Sequence, residues 1–276
     1  MKKIIKIITI CIFTCFSFYY TDKFISLSKE KDPIMIKINE MDKMSTRPVN
    51  GVVSDTTMFV GESGRKIDKD KTYEKMKKLG KYSSSLIEYV NIAPSISKSN
   101  NLGKRLEGKN TKKKEISFVF KLDNLEMIDE ILYILEQNNI KTTFFIDAKL
   151  VEDNLEVLSE KPLKKHSLGY YGYDGNYSEI SIRYTKFLLN KRINISSYCL
   201  YKDEVFLKSC ERVGINTISP VVIEKDLYNY IKQNKRNGYI YQIGVNNFNI
   251  KELNTTFLYL KQKGYNIMSI DELLKE

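Results

Sequence analysis

From Glu115 to the C-terminus the chain alternates short apolar strands with amphipathic helices, and that pattern limits the fold more than any other feature. Residues 116–120 form a compact apolar strand. Residues 127–137 place Ile128, Ile131, Leu132 and Leu135 at i, i+3, i+4 and i+7, one face of a helix. Strands follow at 142–146, 196–201, 216–218, 239–243 and 265–268. Helices are expected at 150–158, 180–189, 204–213, 227–233 and 250–263. Short joins between the two kinds of element imply a parallel sheet or barrel. In such folds the chemistry gathers at the carboxyl ends of the strands.

The sequence before residue 113 reads differently. Lys2, Lys3 and Lys6 precede an apolar run at 7–20, which reads as a signal anchor over 1–22, with a cleaved signal peptide as the alternative. This places the protein at the cell membrane with the remainder outside, or secreted if the segment is cleaved. Residues 23–112 are expected to form an irregular N-terminal region. DPIMIKI reads as a strand and TMFVGESGRKID as a hairpin. KTYEKMKKLG reads as a short helix that Thr72 caps and Gly80 ends. GKRLEGKNTKKKE reads as an exposed connector. Residues 113–276 form the principal domain.

Net charge is +11, yet the lysines are scattered along the chain, and nucleic acid is not expected as a partner. Cys199 and Cys210 are not in a CxxC pair and read as buried free thiols, a disulfide remaining open. His166 is the single histidine.

Three segments carry a resemblance. They are ISFVFKLDN followed by NNIKTTFFIDAKLVEDNLEVL, then KKHSLGYYGYDG, then GYIYQIG with LKQKGYNIMSIDELL. In order and spacing they resemble the polysaccharide deacetylases, the NodB-homology domain of carbohydrate esterase family four. The resemblance implies an α/β fold, an irregular (β/α) barrel of the NodB-homology type with a small irregular N-terminal extension. Active members bind a divalent metal such as zinc through one Asp and two His. A second Asp acts as base and another His as acid.

The aligned positions carry other residues here. Lys121 stands at the base position and Leu122 at the metal Asp. Tyr171 and Gly175 stand at the metal histidines. Ile195 replaces the Arg of the third motif, where only Tyr198 is kept, and Gly244 replaces the acid His. A rival register starts the second motif at His166 and puts Tyr170 at the second histidine. No cofactor is expected. The residues left at the mouth, Lys121, Asp123, Asn124, His166, Tyr170, Tyr171, Tyr173 and Tyr198, form a candidate glycan groove. Tyrosines stack on sugar faces and donate hydrogen bonds. The expectation is an inactive deacetylase-like protein that binds peptidoglycan or another cell-surface glycan, or serves as a scaffold for a protein partner. The alternative is a divergent zinc-dependent N-deacetylase using Asp123, His166 and Asp174.

Overall fold

The computed structural model describes residues 2–189 and 195–276. In chain order the elements are helices α1 (Lys2–Glu30) and α2 (Pro33–Asp42), then strands β1 (Val52–Val53), β2 (Thr57–Val60) and β3 (Gly64–Ile67). Helix α3 (Lys69–Leu79) precedes β4 (Tyr89–Ile92), β5 (Arg105–Lys109) and β6 (Glu115–Leu122). Next come α4 (Ile128–Gln137), β7 (Thr143–Ile146), α5 (Ala148–Asp153), α6 (Leu155–Glu160), β8 (Ser167–Tyr170) and α7 (Glu179–Leu189). The rest are β9 (Ile195–Leu200), α8 (Glu204–Arg212), β10 (Asn216–Ile218), β11 (Val221–Ile223), α9 (Leu227–Asn234), β12 (Ile240–Ile243), α10 (Asn247–Gln262), β13 (Asn266–Met268) and α11 (Ile270–Leu273).

Two compact units result. One comprises Met1–Arg47 and Gly64–Ile92, the other Pro48–Ser63 and Ala93–Glu276. In the first, β3 and β4 pair antiparallel, and Met35, Ile38, Ile67 and Met76 are buried together. The strand expected at DPIMIKI is a helix instead. Asp32 accepts the Ile34 N–H, Pro33 sits in the first turn, and Met35 and Ile38 are the buried residues of α2. An N-cap followed by Pro fixes a helix start and overrides the β-branched run. The expected hairpin is also absent: β2 and β3 belong to different units and do not pair. The helix at 69–79 is present, but Asp68 rather than Thr72 caps it.

The second unit is a curled, open (β/α) half-barrel. Its sheet runs β1-β2-β5-β10-β9-β8-β7-β6-β12-β11, with β13 added beside β6. The supposed connector contributes β5. Leu106 there is fully buried in the inner core and Lys109 is 7% exposed, its Nζ lying 3.9 Å from a Glu62 carboxylate oxygen. Side chains alternate between two layers. Ile116, Phe118, Phe120 and Leu122 of β6 join an outer layer with α4, α9 and α10. Val119 joins an inner layer with Leu106, Phe145, Leu200, Ile240 and the C-terminal helix α11. Phe145 lies against Gly169 across the β7–β8 pair. A methyl group at 169 would stand 2.1 Å from the phenyl ring, so the glycine exists to let the ring fill the interior.

Two further sequence expectations are corrected. No described helix is long and apolar enough to cross a membrane. The stretch between Lys6 and Asp22 spans about 22 Å of helix at 1.5 Å per residue, short of the ~30 Å hydrocarbon core. Thr9, Thr14 and Ser17 dilute it further. The membrane anchor falls, and with it the membrane partner and the localisation built on it. Cys199 and Cys210 form a disulfide between β9 and α8 rather than two free thiols. Strand and helix hold the two Cα atoms 6.6 Å apart, within disulfide reach.

Candidate functional site

The carboxyl ends of β6, β7, β8 and β12 form the mouth of the half-barrel. Strand alternation decides what each position can offer there. Leu122 is 2% exposed and packs in the outer layer with the helices. The position expected to hold the metal-binding Asp therefore turns away from the mouth. Lys121, one residue earlier, faces the other side. Its Nζ lies 2.9 Å from an Asp123 carboxylate oxygen and 5.0 Å from the centroid of the Tyr171 ring. Burial works to lower the Lys121 pKa, but the hydrogen bond to Asp123 and the neighbouring Tyr171 outweigh it and hold the ammonium above its ordinary value. The position that the resemblance gives to the catalytic base thus carries an ammonium group held by Asp123.

Tyr171 is half-buried against the inner layer, and its ring meets Tyr177 edge-on at 6.1 Å. Gly175 occupies a tight turn with Asp174, both at positive φ (69° and 50°). Asp147 holds that turn: its carboxylate accepts the backbone N–H groups of Asp174 and Gly175. The same carboxylate caps α5 through Lys149 N–H. A loop that could have presented imidazoles is instead tied down by its own backbone.

A leucine facing outward, a phenol and a glycine do not fit a divalent cation, which needs about three protein ligands from His, Cys or carboxylate. Among the described residues, no group of three or more such side chains converges to hold a metal ion. The alternative trio is not assembled either. Asp123 is at the carboxyl end of β6, paired with Lys121. Asp174 is in the exposed turn. His166 precedes β8 at its amino end, four strand residues or about 13 Å of chain from the mouth.

His166 is 5% exposed, and its Nδ1 accepts the Thr142 N–H. Burial, with the nearby Lys165 charge, depresses its pKa to about 4, below the ~6.5 of an unfolded histidine. Above the unfolded value both states are neutral. As pH falls through the interval between them, only the unfolded chain takes up the proton, so stability is lost. The expected loss from this group between pH 7 and 4.5 is about 2 kcal/mol. Urea midpoints of the native chain and His166→Asn at the two pH values check it: the variant should lose correspondingly less.

The remaining groove residues divide. Lys121, Asp123 and Asn124 line a recess of about 250 Å³ with Glu224, Gln242 and Gly244. Tyr171 stands beside Lys121. Tyr170 is 3% exposed in a cluster with Cys199, Phe206 and Cys210. Tyr173 donates to Glu152 at 2.7 Å. Tyr198 is buried in the inner layer and accepts from Lys98 Nζ at 2.9 Å. Ile195 begins β9, and its side chain lies outside the described residues. Sequence patterning does not single out Glu224, which follows β11 and carries no motif. Gln242 was open to detection, since Ile240 and Gln242 share the inner face of β12.

No family model matches the chain. It is 22% identical over 153 residues to the uncharacterised protein YlxY of Bacillus subtilis (strain 168); the match covers 54% of this chain and 48% of that protein. The chain thus spans about half the length of the curated relative it matches. Among solved structures it is similar to BA3943, a CE4 family pseudoenzyme from Bacillus anthracis, at 22% identity and a TM-score of 0.64, covering 89% of this chain and 96% of that one. A mutant of BA3943 with restored enzymatic activity superposes equally well, with a TM-score of 0.64 at 21% identity, over 89% and 99% of the two chains. The Bc1960 peptidoglycan N-acetylglucosamine deacetylase follows at 18% identity and a TM-score of 0.51, over 60% and 90%. The half-barrel, its strand order and these superpositions together give the chain the fold of the CE4 esterases, the NodB-homology polysaccharide deacetylases.

Proposed function

We propose that the chain is a CE4-fold pseudoenzyme that holds a glycan at the barrel mouth without deacetylating it. The observation that carries this reading is the exchange at the end of β6. Lys121 projects where the family places its base, and Leu122 is buried where the family places a metal ligand. A divalent ion approaching this point meets an ammonium group, and the two carboxylates of the recess, Asp123 and Glu224, fall short of the three protein ligands it needs. Without that ion nothing polarises an acetamide carbonyl, and Gly244 supplies no proton to a leaving amine. The scaffold keeps a concave recess furnished with a cation, two carboxylates and two carboxamides. These are the donors and acceptors that sugar hydroxyls require. Glycan as the ligand class is supported by the fold shared with a CE4 pseudoenzyme and with a peptidoglycan N-acetylglucosamine deacetylase.

The test uses the full chain. Incubation with N-acetylated glycan oligosaccharides and added zinc should release no acetate. Calorimetric titration with the same oligosaccharides should give saturable binding. Excess chelator should leave the melting temperature unchanged, because no metal contributes binding energy to the native state. Acetate release, or a chelator-dependent fall in melting temperature, sinks the reading.

A further inference from the structure

One carboxylate at the mouth has no role in the fold. Glu224 follows β11, and its backbone carbonyl accepts from the Asn246 and Asn249 side chains. Its carboxylate is different: among the described residues no hydrogen bond or ion pair engages it. It nevertheless occupies a defined place. A methyl group built on Gly244 would stand 2.8 Å from Glu224 Oε2, so the carboxylate fills the space where a side chain at 244 would begin. That is the position the family resemblance gives to the acid, the group that hands a proton to the departing amine. In this chain an anion stands there instead of a proton donor.

The neighbouring groups make the site asymmetric. On the β6 side the Lys121 ammonium is already neutralised by Asp123 at 2.9 Å. On the β12 side Gln242 and Glu224 line the recess. The net unsatisfied charge is one carboxylate, flanked by carboxamides that pair with neutral hydroxyls. A ligand that complements it carries a cation on one edge and hydroxyls around it. An acetamide offers no charge to that carboxylate, and its carbonyl oxygen would face an anion.

We infer that the recess recognises a de-N-acetylated amino sugar, with its protonated primary amine on Glu224 and its hydroxyls toward Gln242 and Asn124. The inference rests on the glycan reading above and names the state of the glycan that is held. The chain thereby reads a finished deacetylation and does not perform one. A charge-assisted hydrogen bond of this kind is about twice as strong as a neutral one, so the preference for amine over acetamide should be about tenfold.

Titration of the full chain at mildly acidic pH with a β-1,4-linked glucosamine tetrasaccharide and with its fully N-acetylated counterpart tests this. The expected result is about tenfold tighter binding of the amine form. Glu224→Gln should erase the preference, bringing the affinity for the amine form down about tenfold to that for the N-acetylated form. Glu224 is exposed, so that variant leaves the core untouched. Gly244→Ala, which pushes a methyl group at the carboxylate, should weaken the amine form more than the N-acetylated form. Equal or tighter binding of the N-acetylated form overturns the inference and leaves the glycan reading standing. Retention of the amine preference in Glu224→Gln also overturns it. Failure of both oligosaccharides to bind overturns the inference together with the glycan reading.

Discussion

Leu122→Asp will destabilise the barrel by about 4 kcal/mol or more and confer neither zinc uptake nor acetate release. The reason is the direction of the side chain. Leu122 continues the outward series Ile116, Phe118, Phe120, and it packs in the layer shared with α4, α9 and α10. At 2% exposure an aspartate there loses the leucine's packing and sets a carboxyl group among hydrocarbon side chains with no partner. Burial of that kind drives a carboxyl to its neutral form, which is a poor metal ligand. The measurement is the urea midpoint of the variant, with zinc content by elemental analysis and acetate release on N-acetylated oligosaccharide. Stability near that of the native chain with stoichiometric zinc would show that the strand end can twist to present position 122 to the mouth. Leu122→Met, which keeps volume and polarity, should cost less than about 1.5 kcal/mol and serves as the control.

Phe145→Ala will cost about 4 kcal/mol, in the range found for buried aromatic truncations. Phe145 is fully buried and belongs to the inner layer beneath the mouth. Its ring lies so close to Gly169 that no side chain fits there, which leaves the surrounding backbone little room to collapse into the vacated space. The cavity term therefore adds to the transfer term. Denaturant unfolding of the single variant checks the magnitude. Gly169→Val should also destabilise through overpacking, by about 1 to 3 kcal/mol. Combined with Phe145→Ala it should cost less than the sum of the two changes, because the valine enters the space the ring has left.

Where the hydrophobic period was unambiguous, the elements could be read from the residues. Helix α4 shows its buried face in Ile128, Ile131, Leu132 and Leu135, and β6, β7 and β12 show theirs as apolar runs. The failures have specific causes. The Ile-rich DPIMIKI looks like a strand by composition, but an Asp-Pro start and the spacing of Met35 and Ile38 make it α2. Strand β5 hides behind its basic residues, because a lysine or arginine can bury its stem and keep its charge at the rim. That Leu122, Tyr171 and Gly175 offer no metal ligand, and Gly244 no acid, could be read residue by residue. What the linear pattern did not single out is which side chains meet at the mouth. Four of the proposed groove residues, His166, Tyr170, Tyr173 and Tyr198, are spent on burial and internal bonds. Glu224 enters the recess from a segment with no motif at all.

The sheet of the half-barrel is discontinuous in sequence. Its strands β1 and β2 come from 48–63, and the chain returns to the sheet only after residue 93. A fragment trimmed to the segment that resembles the deacetylases, starting at residue 113, would lose β1, β2 and β5 together. β10 would then become a bare border with open amide and carbonyl groups, a template for pairing between molecules. Such a fragment should form insoluble assemblies on expression, while a fragment starting at residue 48 keeps every strand of the sheet.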